Sequence, residues 1–354
     1  MKPSVLIIVP GFPKDEQDDQ CLPFIQTYVR CFHEQYGPGS VRVLATQYPF
    51  KRGSYRWNGI EVYACGGANK RWAKPFTWWR ALRQGRRMSR EHAPTAIHSF
   101  WLGECAWIAS RIARACGVPN VITLMGQDAR DERNWWRMVR STDARIVTLS
   151  ERHASVFQTM SGRQQDVVIP LGIDARDAVP MSATRDIDLL FAGSLIPVKR
   201  PERFIEVVKL VSQRRKVRAV MCGARIPEGS TFVDELVKDA GLDDVIEVMG
   251  NRSRTSVLEL MGRSRVLVHT SRFESQGYVF NEALMQGMHI VSYAVGIAEA
   301  SERWSVIDDL DDTDRMVEAI LEQLDQAGDA SSRITHDVKE MVAAYTELYG
   351  SEAS

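Results

Sequence analysis

Short apolar runs alternate with longer amphipathic stretches along the whole chain. Residues 5–9, 41–45, 60–64, 96–98, 121–124, 146–149 and 167–169 are runs of strand length, rich in Val, Ile and Leu, and read as buried strands. Between them, residues 21–35, 75–91, 104–116 and 150–160 repeat their apolar positions at helical spacing. Strand and helix alternating in this way predict a parallel sheet covered by helices on both faces. The alternation stops at Pro170-Leu-Gly-Ile-Asp174, and 175–185 has no period, which places a linker there.

The pattern then restarts. Residues 187–192, 217–222, 266–269 and 290–293 read as strands, and 201–213, 231–240 and 254–261 as helices, the first opened by Pro201. Two closing helices are expected at 311–324 and 332–348. The fold class is therefore α/β: two doubly wound, Rossmann-like domains, 1–175 and 180–334, facing a central cleft. The last helix, about 335–354, is expected to pack back on the first domain. Ligands of such sheets bind at the carboxyl ends of the strands and at domain interfaces.

The length of 354 residues exceeds one ordinary core and agrees with two domains. With 44% hydrophobic and 25% charged residues, the chain is neither disordered nor fibrous. Its net charge is zero, yet residues 1–180 carry 25 Lys and Arg against 16 Asp and Glu, and the remainder 20 against 29. A basic first domain suits an anionic partner. The six cysteines show no Cys-x-x-Cys spacing and no neighbouring His cluster, so neither a metal site nor a disulfide framework is expected. The Asp pairs 308–309 and 311–312 read as the acidic start of a helix rather than as metal ligands. Residues 5–9 are too few for a signal sequence and no run reaches membrane-spanning length, so the expected location is cytoplasmic, with any membrane contact made from the surface.

The chemistry concentrates in Glu274-Ser-Gln-Gly-Tyr-Val-Phe-Asn-Glu282. A carboxylate follows a strand, a glycine loop follows it, and a second carboxylate rides the next helix, which Gly287 closes. Loop N–H groups and a helix N-terminus suit phosphate, and ionised carboxylates accept hydrogen bonds from hydroxyls. Phosphate together with many hydroxyls describes a sugar nucleotide. A second signal is Phe191-Ala-Gly-Ser-Leu-Ile-Pro-Val-Lys-Arg-Pro201, where a strand ends, Gly193 turns the chain, and Lys199 and Arg200 precede a helix. Cations at such a place form a diphosphate site; a solvated basic loop is the plainer reading, and the Glu274–Glu282 motif in the same domain favours the former.

These segments, with Ile97-His98, Thr123-Leu-Met-Gly126-Gln-Asp128, Val168-Ile-Pro170-Leu-Gly172-Ile-Asp174, Met221-Cys-Gly223, Gly250 and the Glu282-Ala-Leu-Met-Gln-Gly287 continuation, occur in one order across nearly the whole chain. In that order the chain resembles a family 4 glycosyltransferase of GT-B fold. The resemblance implies a retaining, metal-independent transferase that needs no cofactor and takes its sugar from a UDP- or GDP-linked donor. It implies that Lys199 neutralises the donor diphosphate, helped by the backbone of Gln276, Gly277, Tyr278 and Val279. Glu282 would accept from ribose hydroxyls, Glu274 would hold sugar hydroxyls, and Asn251 and Arg252 would meet the base. Gly193 and Ser194, and Gly11 and Phe12 in the first domain, would also face the donor, and His98, Met125, Gly126 and Asp128 would form the acceptor side. The implied acceptor is a glycan or lipid-linked glycan.

The chain departs from the family pattern at several of these positions. Ser194 stands where an Arg is usual, so Arg200 is the candidate for its charge. Met125 replaces the His of a His-Gly-x-Asp loop, 17–23 replaces a Gly-Gly loop, and the segment after Gly296 lacks a second Gly and Pro-Glu. His98, alone at a strand end, also reads as structural. A non-catalytic sugar-nucleotide-binding protein, an epimerase and a phosphorylase are the alternatives. A glycosidase is disfavoured, because its carboxylates lie about 5–9.5 Å apart while eight helical residues rise about 12 Å.

One stretch falls outside this scheme. Lys70-Arg-Trp-Ala-Lys-Pro-Phe-Thr-Trp-Trp-Arg80 continues into Arg83, Arg86, Arg87 and Arg90. It suits an anionic membrane surface, or it is an ordinary helix with its aromatic residues in the core and its Arg face solvated. Nucleic acid is not expected as a partner.

Overall fold

The computed structural model describes residues 2–130, 135–140, 142–182, 184–327 and 331–350. They form two compact units, Met1–Gly172 with His336–Ser354, and Ile173–Thr335. Of the expected last helix, 351–354 lie outside the described residues.

In the first unit the order is β1 (Val5–Gly11), α1 (Pro23–Tyr36), β2 (Val41–Tyr48), β3 (Gly53–Trp57), β4 (Ile60–Ala64), α2 (Lys74–Glu91), β5 (Ala96–Phe100), α3 (Glu104–Cys116), β6 (Asn120–Thr123), α4 (Trp135–Val139), β7 (Arg145–Thr148), α5 (Glu151–Ser161) and β8 (Val167–Val168). The sheet order is β3-β4-β2-β1-β5-β6-β7-β8, parallel except for the antiparallel β3–β4 pair. The edge hairpin was not expected from periodicity. Its signal is Asn58-Gly59, both at positive φ (45° and 78°), a two-residue hairpin turn. The fully buried run Val5–Val9 sits at the sheet centre, where both faces are covered. Gly85 lets α2 approach α3: a Cβ there would lie 2.3 Å from Ile112 Cδ1.

In the second unit β9 (Ile187–Ala192), α6 (Pro201–Arg214), β10 (Ala219–Cys222), α7 (Phe232–Asp239), β11 (Ile246–Gly250), α8 (Arg254–Gly262), β12 (Ser264–His269), α9 (Tyr278–Met285), β13 (His289–Tyr293), β14 (Trp304–Ile307) and α10 (Thr313–Gln326) follow. The sheet is parallel in the order β11-β10-β9-β12-β13-β14. Strands 246–250 and 304–307 were not expected: both lie at sheet edges and each is only partly buried. The chain winds outward from β9 in one direction and from β12 in the other, so the order reverses between these two strands. Their carboxyl ends open the crevice in which such sheets bind ligands.

The last helix, α11 (Val338–Gly350), belongs to the first unit and starts later than the periodicity suggests. The reason is that Arg333 N donates to Leu284 O and Thr335 Oγ1 to Asn281, which pins 333–335 to the second unit first. In α11, Tyr345 and Tyr349 are buried beside α1 and β5: Tyr349 OH lies 2.6 Å from Tyr28 OH and 2.6 Å from His98 Nδ1, and Tyr345 OH lies 2.8 Å from Thr123 Oγ1.

Candidate functional site

At the reversal point of the second unit, two loops are clamped together. After β9 the chain turns at Gly193 and Ser194 and makes a short 3-10 turn over Pro197–Lys199. After β12, Arg272 N donates to Val198 O (2.9 Å), and Ser271 Oγ donates to the same carbonyl (3.1 Å). Thr270 Oγ1 lies 2.9 Å from the carbonyl oxygens of both Lys199 and Arg200. The neighbouring turn leaves no spare volume, because a Cβ on Gly223 would meet the Gly193 carbonyl oxygen at 1.7 Å.

This clamp brings Lys199 onto Glu274. Lys199 Nζ pairs with Glu274 Oε1, and His269 Nε2 lies 3.0 Å from the same oxygen. Burial pushes the Glu274 carboxyl up, but the Lys199 charge and the His269 hydrogen bond outweigh it and bring it down to about 2. Burial lowers His269 against the opposing pull of Glu274, so the ring is neutral near pH 7 and donates through Nε2–H. Its edge packs on Phe280, ring centroids 4.6 Å apart. Both donors use Oε1.

Three residues beyond Glu274, Gly277 caps the N-terminus of α9 with φ +83°, a conformation that favours glycine. Gln276 is buried, and its carbonyl accepts from Ile297 N at 2.9 Å, which ties the loop to the turn at Gly296. Tyr278 and Val279 form the first turn of α9, and Glu282 stands on the second. Glu282 Oε1 accepts from Arg254 Nε (2.9 Å), and Arg254 Nη1 donates to Asp177 (2.8 Å). Burial raises the Glu282 carboxyl, opposed by Arg254, whose own basicity is strengthened against burial by Glu282, Tyr278 and Asp177. Asn251 and Arg252 are exposed after β11.

Sequence reading missed His269, Arg254 and Asp177. His269 is the polar residue that ends an apolar strand, and Arg254 is a cation at a helix N-terminus, where the helix dipole disfavours it unless an acid pairs with it. Asp177 had no local signal.

Several expected site residues are placed elsewhere. Arg200 does not take over the role left by Ser194. Its side chain is 4% exposed, donates to Leu310 O (2.6 Å) and Asp311 Oδ1 (3.0 Å), and lies over Tyr293, so it anchors the loop. Phe12 is fully buried edge-on to Trp57, so only Gly11 remains as a candidate at the end of β1. His98 lies within β5 and is fully buried. Tyr349 and Thr123 hold both ring nitrogens, and burial pushes it down to about 3, so it serves packing. Asp128 accepts from Leu102 N (2.8 Å), Met125 N (3.0 Å) and Gly126 N (2.6 Å), and so braces the loops after β5 and β6. Burial raises this carboxyl against those N–H groups. Met125 and Gly126 are half-buried in the braced loop.

Comparison with known proteins agrees with the geometry. Residues 174–331 match the family model "Glycosyl transferases group 1", and 28–183 match "Glycosyl transferase 4-like domain". Together the two models span most of the chain. The chain is a GT-B glycosyltransferase. Sucrose-phosphate synthase from Thermosynechococcus elongatus superposes on the enzyme with a TM-score of 0.73 at 14% identity, covering 99% of this chain and 98% of that one. HepE from Anabaena, in complex with UDP, gives 0.68 at 13% identity over 97% and 98% of the two chains. WaaG, a glycosyltransferase involved in lipopolysaccharide biosynthesis, gives 0.65 at 16% over 98% and 94%. No curated protein matches the enzyme by sequence.

Proposed function

We propose that the enzyme is a family 4 transferase that moves a sugar, with retention and without a metal, from a UDP- or GDP-linked donor to a glycan or lipid-linked glycan. The observation that carries this reading is the meeting of Lys199 and Glu274 at the reversal point of the second sheet, with Glu282 on the helix that follows. Lys199 and the N-terminus of α9 supply positive charge where the leaving diphosphate becomes negative. Glu274, ionised and held by its Oε1, offers Oε2 to sugar hydroxyls. Glu282 accepts from the ribose, Asn251 and Arg252 contact the base, and Gly193 and Ser194 admit the diphosphate. Gly11, Met125 and Gly126, at carboxyl ends of strands of the first unit, take the acceptor side.

The reaction is a front-face displacement. The acceptor oxygen bonds to the anomeric carbon on the face from which the diphosphate departs, the bond from carbon to phosphate oxygen breaks, and the leaving phosphate takes the acceptor proton. Positive charge and orientation supply the rate. We place the enzyme in the cytoplasm, on the inner face of a membrane that carries its acceptor.

The test is turnover of a panel of UDP- and GDP-sugars, UDP-glucose first since HepE has been seen with it, with the anomeric configuration of the product read by proton NMR. An α-linked product from an α-linked donor, undiminished by EDTA, is expected. An inverted product or a trapped covalent glycosyl-enzyme would sink the mechanism.

A further inference from the structure

The basic aromatic stretch forms α2 and the turn before it, and its solvent face is divided along the helix. At the amino end Trp72, Phe76 and Trp79 are 75%, 66% and 61% exposed. Further on, Arg83, Arg86, Arg87 and Arg90 are exposed at helical spacing on that same side. The opposite face, Thr77, Ala81, Gly85, Met88 and Ser89, is buried. The expectation of aromatic residues in the core therefore fails for the three largest exposed ones. Trp78 alone of the paired tryptophans turns inward, donating to Glu104 Oε2 at 2.8 Å.

Beside this face runs a groove of about 750 Å³ shared with the β3–β4 hairpin. Arg52, Arg83, Arg87 and Arg90 line it against Glu61 and Glu91, with Phe76 and Trp79 also in its wall. Arg87 is paired with Glu91 (2.8 Å), so the remaining guanidinium groups dominate its charge. The Arg83 guanidinium lies over the Trp79 ring at 5.6 Å, which holds the cationic and aromatic portions next to each other. No helix among the described residues is long and apolar enough to cross a membrane.

We propose that this face docks on a bilayer of anionic phospholipid. Trp72, Phe76 and Trp79 enter the interfacial layer, and the arginine groove takes lipid phosphates. Exposed Trp and Phe are what an interface accommodates and what open water does not favour. Guanidinium groups bind phosphate through paired N–H donors, and each basic residue near an anionic surface adds to the attraction. The bilayer is the single occupant that satisfies both portions, since a soluble anion would leave the tryptophans in water. This inference deepens the proposed location of the reaction, yet it concerns binding alone and stands or falls apart from sugar transfer.

The experiment is flotation of the full chain with vesicles of phosphatidylcholine alone or mixed with phosphatidylglycerol, at low and high salt. Binding is expected only to the mixed vesicles and is weakened by salt. Arg83→Glu with Arg90→Glu should lower it at least tenfold, and Phe76→Ala with Trp79→Ala should lower it without removing the salt dependence. Brominated phosphatidylcholine in the mixed vesicles should quench tryptophan emission in the parent and less in Trp79→Ala. Thermal melts of all variants should match the parent, because the altered side chains are exposed. Equal binding to neutral vesicles, unchanged binding of the double charge reversal, or capture of single-stranded RNA in place of vesicles would overturn the proposal.

Discussion

Glu274 shows how one buried side chain is held by two neighbours, Lys199 and His269. Its carboxyl lies below its ordinary value, so its pairing stabilises the fold above that value and is lost as pH falls from 4.5 towards about 2. Acid unfolding followed by circular dichroism should therefore be shallower in this window for Glu274→Gln, by on the order of 2–3 kcal/mol across it. Lys199→Ala removes the cation proposed to face the leaving group and should reduce turnover about 100-fold or more. His269 touches no reacting atom in this scheme but holds Glu274. His269→Leu should raise donor KM roughly tenfold with a smaller change in kcat, and His269→Gln, which keeps an N–H donor, should recover part of the loss. Equal KM for both variants would remove His269 from the site.

At the scale of elements, loops carry the site because α9 and β12 are fixed behind them. Gly277 has φ +83°, and a Cβ there would lie 2.3 Å from the Phe280 ring, the ring that His269 packs against. Gly277→Ala should thus weaken donor binding and lower Tm together, at a cost of about 1–2 kcal/mol. In α11 the buried Tyr349 hydroxyl joins Tyr28 and His98. Tyr349→Phe leaves those partners unsatisfied and should destabilise the first unit by about 1–3 kcal/mol, read as a shift in the denaturation midpoint with donor KM unchanged. The parallel strands were legible because each is a dense apolar run. The edge strands Ile246–Gly250 and Gly53–Trp57 were not, since the first is half-exposed and the second alternates, so neither forms a continuous apolar run.

At the scale of the molecule, the residues proposed to hold the donor all lie in the second unit, Ile173–Thr335. A saturating nucleotide sugar should stabilise the native state by about 2.7 kcal/mol at a hundred times its Kd, seen as a thermal shift that Lys199→Ala diminishes. Of the basic residues in 1–180, Arg83, Arg86, Arg87 and Arg90 stand exposed on one face of α2, so salt should affect vesicle binding far more than donor KM.

By itself the sequence determined the fold class and the Glu274–Glu282 motif, because strand–helix periodicity and a motif confined to nine residues are local properties. Lys199 was also legible, standing beside a helix start that follows a strand. Only the tertiary structure decided what these side chains meet. Arg200 lies next to Lys199 in the chain yet is turned under Asp311, and Arg254 reaches Glu282 and Asp177, 28 and 77 residues away. His98 and Phe12 resemble site residues in the chain and are core residues in the fold. Periodicity tells which side of an element is buried; the crossing of loops at a sheet's reversal point decides which charges pair there, and nothing local encodes that.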